Sequence, residues 1–311
     1  AIGHNAMNSQ QAGGTQSTSA TSHNNLFIGV DAGGGNWADA QCNYNLGIGN
    51  GVLAGVLNGA LQNTGLGYAA LNVLTSGDQN VAIGYAAGIS ITSGIGNVII
   101  GSQAGDALVG SHNNVIIGRE ACTNASDTIQ TNVIIGYGAG NGALTGDANG
   151  SVFIGASAGG ANTSGAGNTA VGYQALQTNI DGDRNTAVGF GALVTHEADT
   201  DGHGENSALG YQAGGAVNTG TGNTLIGSRA GNQGTNDITT GDNNTMIGKE
   251  ARGNTSSASN QTVIGASAVG QGANTVVLGN SDVTAVYMAD DSGATIYANG
   301  INFPDDAATD H

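Results

Sequence analysis

The sequence predicts an all-β chain wound into a parallel β-roll, a solenoid of about sixteen short coils. Three observations carry this. The motif N-[T/V/S]-x-[I/V/L]-G-x-x-A recurs along almost the whole chain. Most recurrences lie 17 or 18 residues apart, two intervals are 21 and the last is 14. The motif length stays constant, so all variation falls between motifs, as expected of a fixed packed part and a surface loop free to lengthen.

The motif glycine serves as a hub. Its copies run from Gly3 and Gly29 through Gly84, Gly101, Gly118, Gly136, Gly172 and Gly189 to Gly265 and Gly279. Ile, Val or Leu precedes the hub every time. Each motif offers about five residues of β character, such as "NVIIG" or "NTAVG", bounded by Gly and Asn. No apolar stretch keeps a helical period for three turns. The 57 glycines would each disfavour a helix by about 1 kcal/mol relative to alanine.

Side chains alternate between the faces of a strand. The residues one and three before the hub (Ile100 and Val98, Ile117 and Val115, Ile135 and Val133) share a face and are expected inside the coil. The residue between them (Ile99, Ile116, Ile134; later Ala170, Ala187, Ala208) is expected on the outside, against another chain in the middle of the protein. The hub glycine suits a corner with positive φ or a close backbone contact. Ala follows three residues later in fourteen of sixteen copies and suits a crowded corner. Asn stands four residues before the hub in twelve copies, among them Asn97, Asn114, Asn168 and Asn185. It has two readings: a hydrogen-bonded ladder from coil to coil, or a residue that tolerates the left-handed turn opening each strand.

The repeat makes residues 1–279 one elongated body, irregular over coils 1–66 and regular over 67–279, with a separate tail at 280–311. A core of Ile, Val, Ala and Gly is thin, and little apolar area is buried per coil, at about 25 cal/mol per Å². Association into a multimer is the expected remedy. The formal net charge is −17, with acidic residues gathered between motifs and in the tail. That excludes the basic stripe a nucleic-acid partner requires. No run of 18 apolar residues exists, so membrane insertion is not expected. Cys42 and Cys122 lie several coils apart and are expected as free, buried small residues.

Copies such as "NTAVGYQAL", "NVAIGYAAG", "NSALGYQAG" and "QTVIGASAVGQGANTVVLG" resemble the head repeats of trimeric autotransporter adhesins. The 17-residue form with Y-Q-A after the glycine is still more similar to repeats of bacteriophage tail fibres. The tail, "NTVVLGNSDVTAVYMADDSGATIYANGINFPDD", resembles the segment before a cleaved intramolecular chaperone of the endosialidase type. The resemblance implies a left-handed parallel β-roll, three chains side by side, and a small C-terminal β tail. Its functional implication is a virion tail fibre shaft or head that presents or forms a host-receptor-binding surface, with a host surface glycan as one receptor class. The alternative setting is a cell-surface adhesin or extracellular filament. A polysaccharide-degrading solenoid is the remote third.

No catalytic constellation, cofactor motif or metal motif emerges, and no enzyme is expected. The loop "HEADTDGHGE", 196–205, is the richest polar segment, but its spacing is not H-E-x-x-H. "DGDR" and "TGDNNT" lack the EF-hand pattern. The candidate receptor-binding residues are Trp37, for sugar stacking, and His196, Asp199, Asp201 and His203, since long loops on a rigid scaffold carry recognition. The competing role for Trp37 is filling a gap in a less regular coil.

Overall fold

The computed structural model describes residues 1–7, 22–35, 37–38, 40–126, 128–197, 204–234 and 236–286. Among these there is no helix, and the chain is a β-solenoid of fifteen three-residue strands. They are β1 (Leu26–Ile28), β2 (Leu46–Ile48), β3 (Thr64–Leu66), β4 (Val81–Ile83), β5 (Val98–Ile100), β6 (Val115–Ile117), β7 (Val133–Ile135), β8 (Val152–Ile154), β9 (Thr169–Val171), β10 (Thr186–Val188), β11 (Ser207–Leu209), β12 (Thr224–Ile226), β13 (Thr245–Ile247), β14 (Thr262–Ile264) and β15 (Val276–Leu278). Each pairs in parallel with the next, so one sheet runs from β1 to β15 in chain order. The register keeps motif positions aligned: Val98 lies against Val115, Ile99 against Ile116 and Ile100 against Ile117. Ile2 adds a bridge to Ile28, which places the Gly3 motif as a further rung. Residues Ala1–Asn280 form one compact unit. Of the segment after it, residues 281–286 are irregular and exposed, and the rest of the expected tail lies outside the described residues.

The strand faces are the reverse of the sequence expectation. The middle residue points inward: Ile99, Ile116, Ile134, Ala170 and Ala187 are fully buried. Val98 and Ile100 on either side are half-buried, as are Val115 and Ile117. The asparagine sets this phase. Side chains two apart share a face, and Asn97, Asn114, Asn168 and Asn185 are fully buried. An inward Asn four before the hub therefore brings the residue two before the hub inward with it, and turns its larger aliphatic neighbours outward.

Between the two readings of that asparagine, the structure shows the ladder. Asn97 donates from both its backbone N and its Nδ2 to Asn80 Oδ1, at 3.1 and 2.9 Å. Its Nδ2 also donates to Ser111 O at 2.7 Å in the following coil. The pattern repeats through Asn114, Asn185, Asn206, Asn223 and Asn244. The carboxamide thus uses its oxygen twice and its NH2 twice, leaving little of its capacity unmet. Ser151 takes the place once, accepting from Asn168 N on its hydroxyl at 3.2 Å. The left-handed residue is instead the one before the Asn: Gln79, Asn113, Thr131, Arg184 and Glu205 all have φ of 55–59°.

The hub glycines stack in a column. Gly118 has φ +137°, and a Cβ there would lie 2.4 Å from the carbonyl oxygen of Gly136. After the hub the chain turns on alternating left-handed residues, two and four positions on, such as Gln174 (φ 54°) and Leu176 (φ 52°). These are costly conformations for L residues, repeated in coil after coil. The corner Ala three after the hub is fully buried in each of Ala87, Ala104, Ala121, Ala175 and Ala192.

Inside, volume is exchanged between two positions of one coil. Where the strand centre is small, the residue four after the hub is large: Gly47 with Leu53, Gly65 with Leu71, Ala170 with Leu176, Ala187 with Leu193, each leucine fully buried. Where the centre is large, that residue is often glycine: Phe27 with Gly33, Ile99 with Gly105, Ile134 with Gly140, Phe153 with Gly159 and Leu225 with Gly231, whereas Ile116 is paired with Cys122, Met246 with Arg252 and Val263 with Val269. The trade is steric, because a Cβ on Gly159 would come within 2.6 Å of the Phe153 ring. Two coils have neither large group, those of Ala82 with Gly88 and of Ala208 with Gly214. Their neighbours reach in: Ile99 and Leu71 approach Gly88, while Leu225 and Leu193 approach Gly214. In these coils the interior is filled either from within the coil or from its neighbours although the sequence changes.

Candidate functional site

The outward phase of the strands creates the most conspicuous surface of the molecule. In all fifteen strands the residue before the hub is Ile, Val or Leu, and it is half-buried or exposed. Leu209 is 52 % exposed and Leu278 47 %. Beside this column runs a second, of Val in the middle coils and Thr or Ser later. At about 4.8 Å per rung, fifteen rungs make a continuous stripe of aliphatic side chains. Soluble single chains rarely carry an exposed apolar patch that extensive.

One residue past the hub glycine a third column appears. Tyr68 and Tyr85 stack at 5.2 Å between ring centroids. Tyr173, Phe190 and Tyr211 form a longer stack at 5.1 and 5.5 Å. Arg119 lies over the Tyr137 ring at 4.7 Å, and Arg229 lies 5.9 Å from that of Tyr211. All six rings are 45–56 % exposed. Sequence reasoning noted the Y-Q-A form but assigned these rings no role. Their signal is the recurrence of Tyr or Phe directly after the hub, which a strict register must turn into a ladder. A groove of about 500 Å³ opens beside Tyr137, with Glu120, Asn141 and Gln177 among its lining residues.

Of the sequence-predicted site residues, Trp37 and His196 lie among the described residues. Trp37 leans on the core, its ring edge-to-face with Phe27 at 5.8 Å and its Nε1 donating to Gly33 O at 3.1 Å. That is the gap-filling role, not a free stacking platform. His196 is fully buried, which removes it as a receptor contact. Its Nδ1 has no hydrogen-bond partner. Burial lowers the imidazole pKa to about 4. Asp199, Asp201 and His203 lie outside the described residues. Among the described residues no three His, Cys, Asp or Glu side chains gather to hold a metal.

Three of the acidic loop residues have a structural job. Asp78, Asp183 and Asp242 each accept a hydrogen bond from a backbone N–H of the preceding coil, at Leu61, Ala166 and Thr221, with distances of 2.7–2.8 Å. "DGDR" and "TGDNNT" thus supply side-chain caps to irregular backbone that has no ladder of its own. Within the long segment 228–244, Ile238 is fully buried. Cys42 and Cys122 are free and buried, and burial pushes the Cys122 thiol up to about 12. Neither is a reactive thiolate. In comparisons with known proteins, the chain matches no family model and no curated sequence.

Proposed function

We propose that this chain is a structural and adhesive fibre subunit whose aliphatic stripe is covered by identical chains in a homotrimer. The observation that carries this reading is the stripe itself. The interior changes freely along the solenoid, from Ile to Ala to Gly at the strand centre, yet the outward residue before the hub stays aliphatic in every strand. A periodic surface is matched rung for rung by another copy of the same period, and each added rung buries more apolar area. The stoichiometry of three, the virion tail fibre setting and a host receptor at the surface follow from the resemblance of the repeats. The backbone-capping roles of Asp78, Asp183 and Asp242 and the burial of His196 favour a scaffold over a catalyst.

Light scattering tests the assembly. Three chain masses are expected for the wild type, and one chain mass for Ile100→Lys with Ile117→Lys. Those side chains leave the solenoid surface, so the variant keeps its β circular dichroism. A monodisperse wild-type monomer overturns the reading. For the setting, fluorescently labelled protein is expected to decorate a bacterial host and to compete with phage adsorption. Flanking baseplate genes support the virion, and a downstream outer-membrane anchor supports the cell-surface alternative.

A further inference from the structure

The groove beside Tyr137 is built by small residues. Two positions after the hub, most coils carry a side chain: Gln103, Glu120, Ser157, Gln174, Gln212, Arg229. The Tyr137 coil has Gly138 there, with nothing within 4 Å of where a Cβ would stand. Gly160 and Ala161 keep the floor of the next coil low. What remains is an open trough about three coils wide, bounded by Glu120 on one side and by Gln177 and Thr178 on the other.

Its walls have a consistent chemistry. Tyr137 offers a half-exposed ring. One face of that ring carries Arg119, and the next rung of the column is only Ala156, whose methyl leaves the other side uncrowded. Asn141 has its carboxamide oxygen held by Thr123 and Asn124, which directs its NH2 group to outside partners. Ser157 and Gln177 add a hydroxyl and a carboxamide to the lining. Thr178 Oγ1 points its one hydrogen between the backbone carbonyls of Val194 and His196, which leaves its lone pairs as acceptors. The Glu120 carboxylate sits 3.5 Å from Arg119 and is partly exposed.

We infer that this trough is a binding site for a short neutral glycan. A pyranose has an apolar C–H face that packs on an aromatic ring and a rim of hydroxyls that both donate and accept. The trough presents one ring with amide, hydroxyl and carboxylate groups beside it. An apolar ligand would leave those polar groups unpaired, at a cost. An anionic glycan would meet Glu120 and a chain of net charge −17. The inference deepens the adhesive reading and rests on it. It also moves recognition from the long loops to the aromatic column.

Saturation-transfer difference NMR on the assembled full chain tests it. The probes are glucose, galactose, mannose and N-acetylglucosamine oligosaccharides of four to six units, with hyaluronan and oligosialic acid as anionic controls. At least one neutral series is expected to bind with saturation focused on ring C–H protons, and the anionic probes are expected not to. Tyr137→Ala is expected to weaken binding about tenfold or more, and Tyr137→Phe by threefold or less. Gly138→Gln fills the trough with a residue that the equivalent left-handed position already holds in other coils, so it is expected to abolish binding with mass unchanged and melting lowered by no more than a few degrees. Absence of transfer from every neutral probe, or equal binding by Gly138→Gln, overturns the site. Light scattering on the same samples separates the two failures: a trimer that binds no sugar ends the glycan site alone, and a monomer ends the fibre reading as well.

Discussion

Coils β5–β7 and β9–β11 share one backbone and fill it in opposite ways. In β5–β7 the strand centres are Ile99, Ile116 and Ile134, the residues four past the hub are Gly105, Cys122 and Gly140, and the far wall is apolar with Leu108 and Leu144. In β9–β11 the centres are Ala170, Ala187 and Ala208, and Leu176 and Leu193 supply the missing bulk. There the far wall turns polar, with Asn179 and His196 fully buried behind Asn162 of the preceding coil. Asn179 donates to Asn162 Oδ1 at 3.0 Å, a short second ladder beside the main one. The difference teaches that the invariant parts of the repeat are the ones that join coils, namely hub glycine, asparagine and corner alanine. Core bulk is a quantity that each coil distributes locally.

The largest expected effect therefore lies in a joining residue, and it should be alike in both regions. Gly118→Ala and Gly172→Ala each place a Cβ 2.4–2.5 Å from the carbonyl oxygen of the next hub, at φ near +137°. Each is expected to cost about 4 kcal/mol or more, or to prevent folding. Gly138→Ala is the control, a left-handed glycine with open space around it, and is expected to cost about 1 kcal/mol. Thermal melting at fixed protein concentration reads all three. A hub variant that melts with the wild type would show that the column is not the joint.

Removing bulk comes next and should separate the regions. Ile134→Ala empties a coil whose partner position is Gly140, so nothing refills the space, and about 3 kcal/mol is expected to be lost. Adding bulk is the converse. Ala187→Ile crowds a coil already filled by Leu193 and is expected to cost about 2 kcal/mol. Combining Ala187→Ile with Leu193→Gly rebuilds the β7 arrangement and is expected to recover about 1 kcal/mol or more. That non-additivity is what contact between the two positions requires. Simple additivity in denaturant unfolding would mean that the volume exchange is a coincidence of sequence.

Most of the fold was legible in the sequence because the joining residues recur at fixed offsets. Gly118, Asn114 and Ala121 each announce a corner, a ladder or a tight contact through residue type alone. The phase of the strand was not legible from aliphatic size, since Val98 and Ile100 look more core-like than a lone Ala187. Only the inward Asn decides it, through a hydrogen-bond network in three dimensions. The loop histidine misled for a related reason. His196 sits in a segment rich in acids and glycine, yet its place seventeen residues after Asn179 puts it on the inner wall. Trp37 misled because an aromatic in an irregular coil looks the same in sequence whether it stacks on a ligand or on Phe27.

The smallest expected effect at neutral pH is the most diagnostic of the polar wall. His196 occupies the position where another Asn would extend the row from Asn162 and Asn179, and Asn179 Oδ1 and His196 Nδ1 are both buried without a partner. His196→Asn is expected to change stability at pH 7 by less than about 1 kcal/mol. Acid reveals the difference. The native imidazole pKa is lowered from 6.5 to about 4 by burial. Between those values the unfolded chain binds a proton that the native chain refuses. The histidine's contribution is therefore complete above pH 6.5 and is lost as the pH falls toward 4, by on the order of 3 kcal/mol. Desolvation raises the carboxyl pKa values of Glu197, Asp106 and Asp237, which act with the opposite sign, gaining stability in acid. They are present in both proteins and cancel in the comparison. The stability difference between His196→Asn and wild type is thus expected to be flat from pH 8 to 6.5 and to grow steadily in favour of the variant down to pH 4. Superimposed curves across that window would place the imidazole in water, and the polar wall would lose its third member.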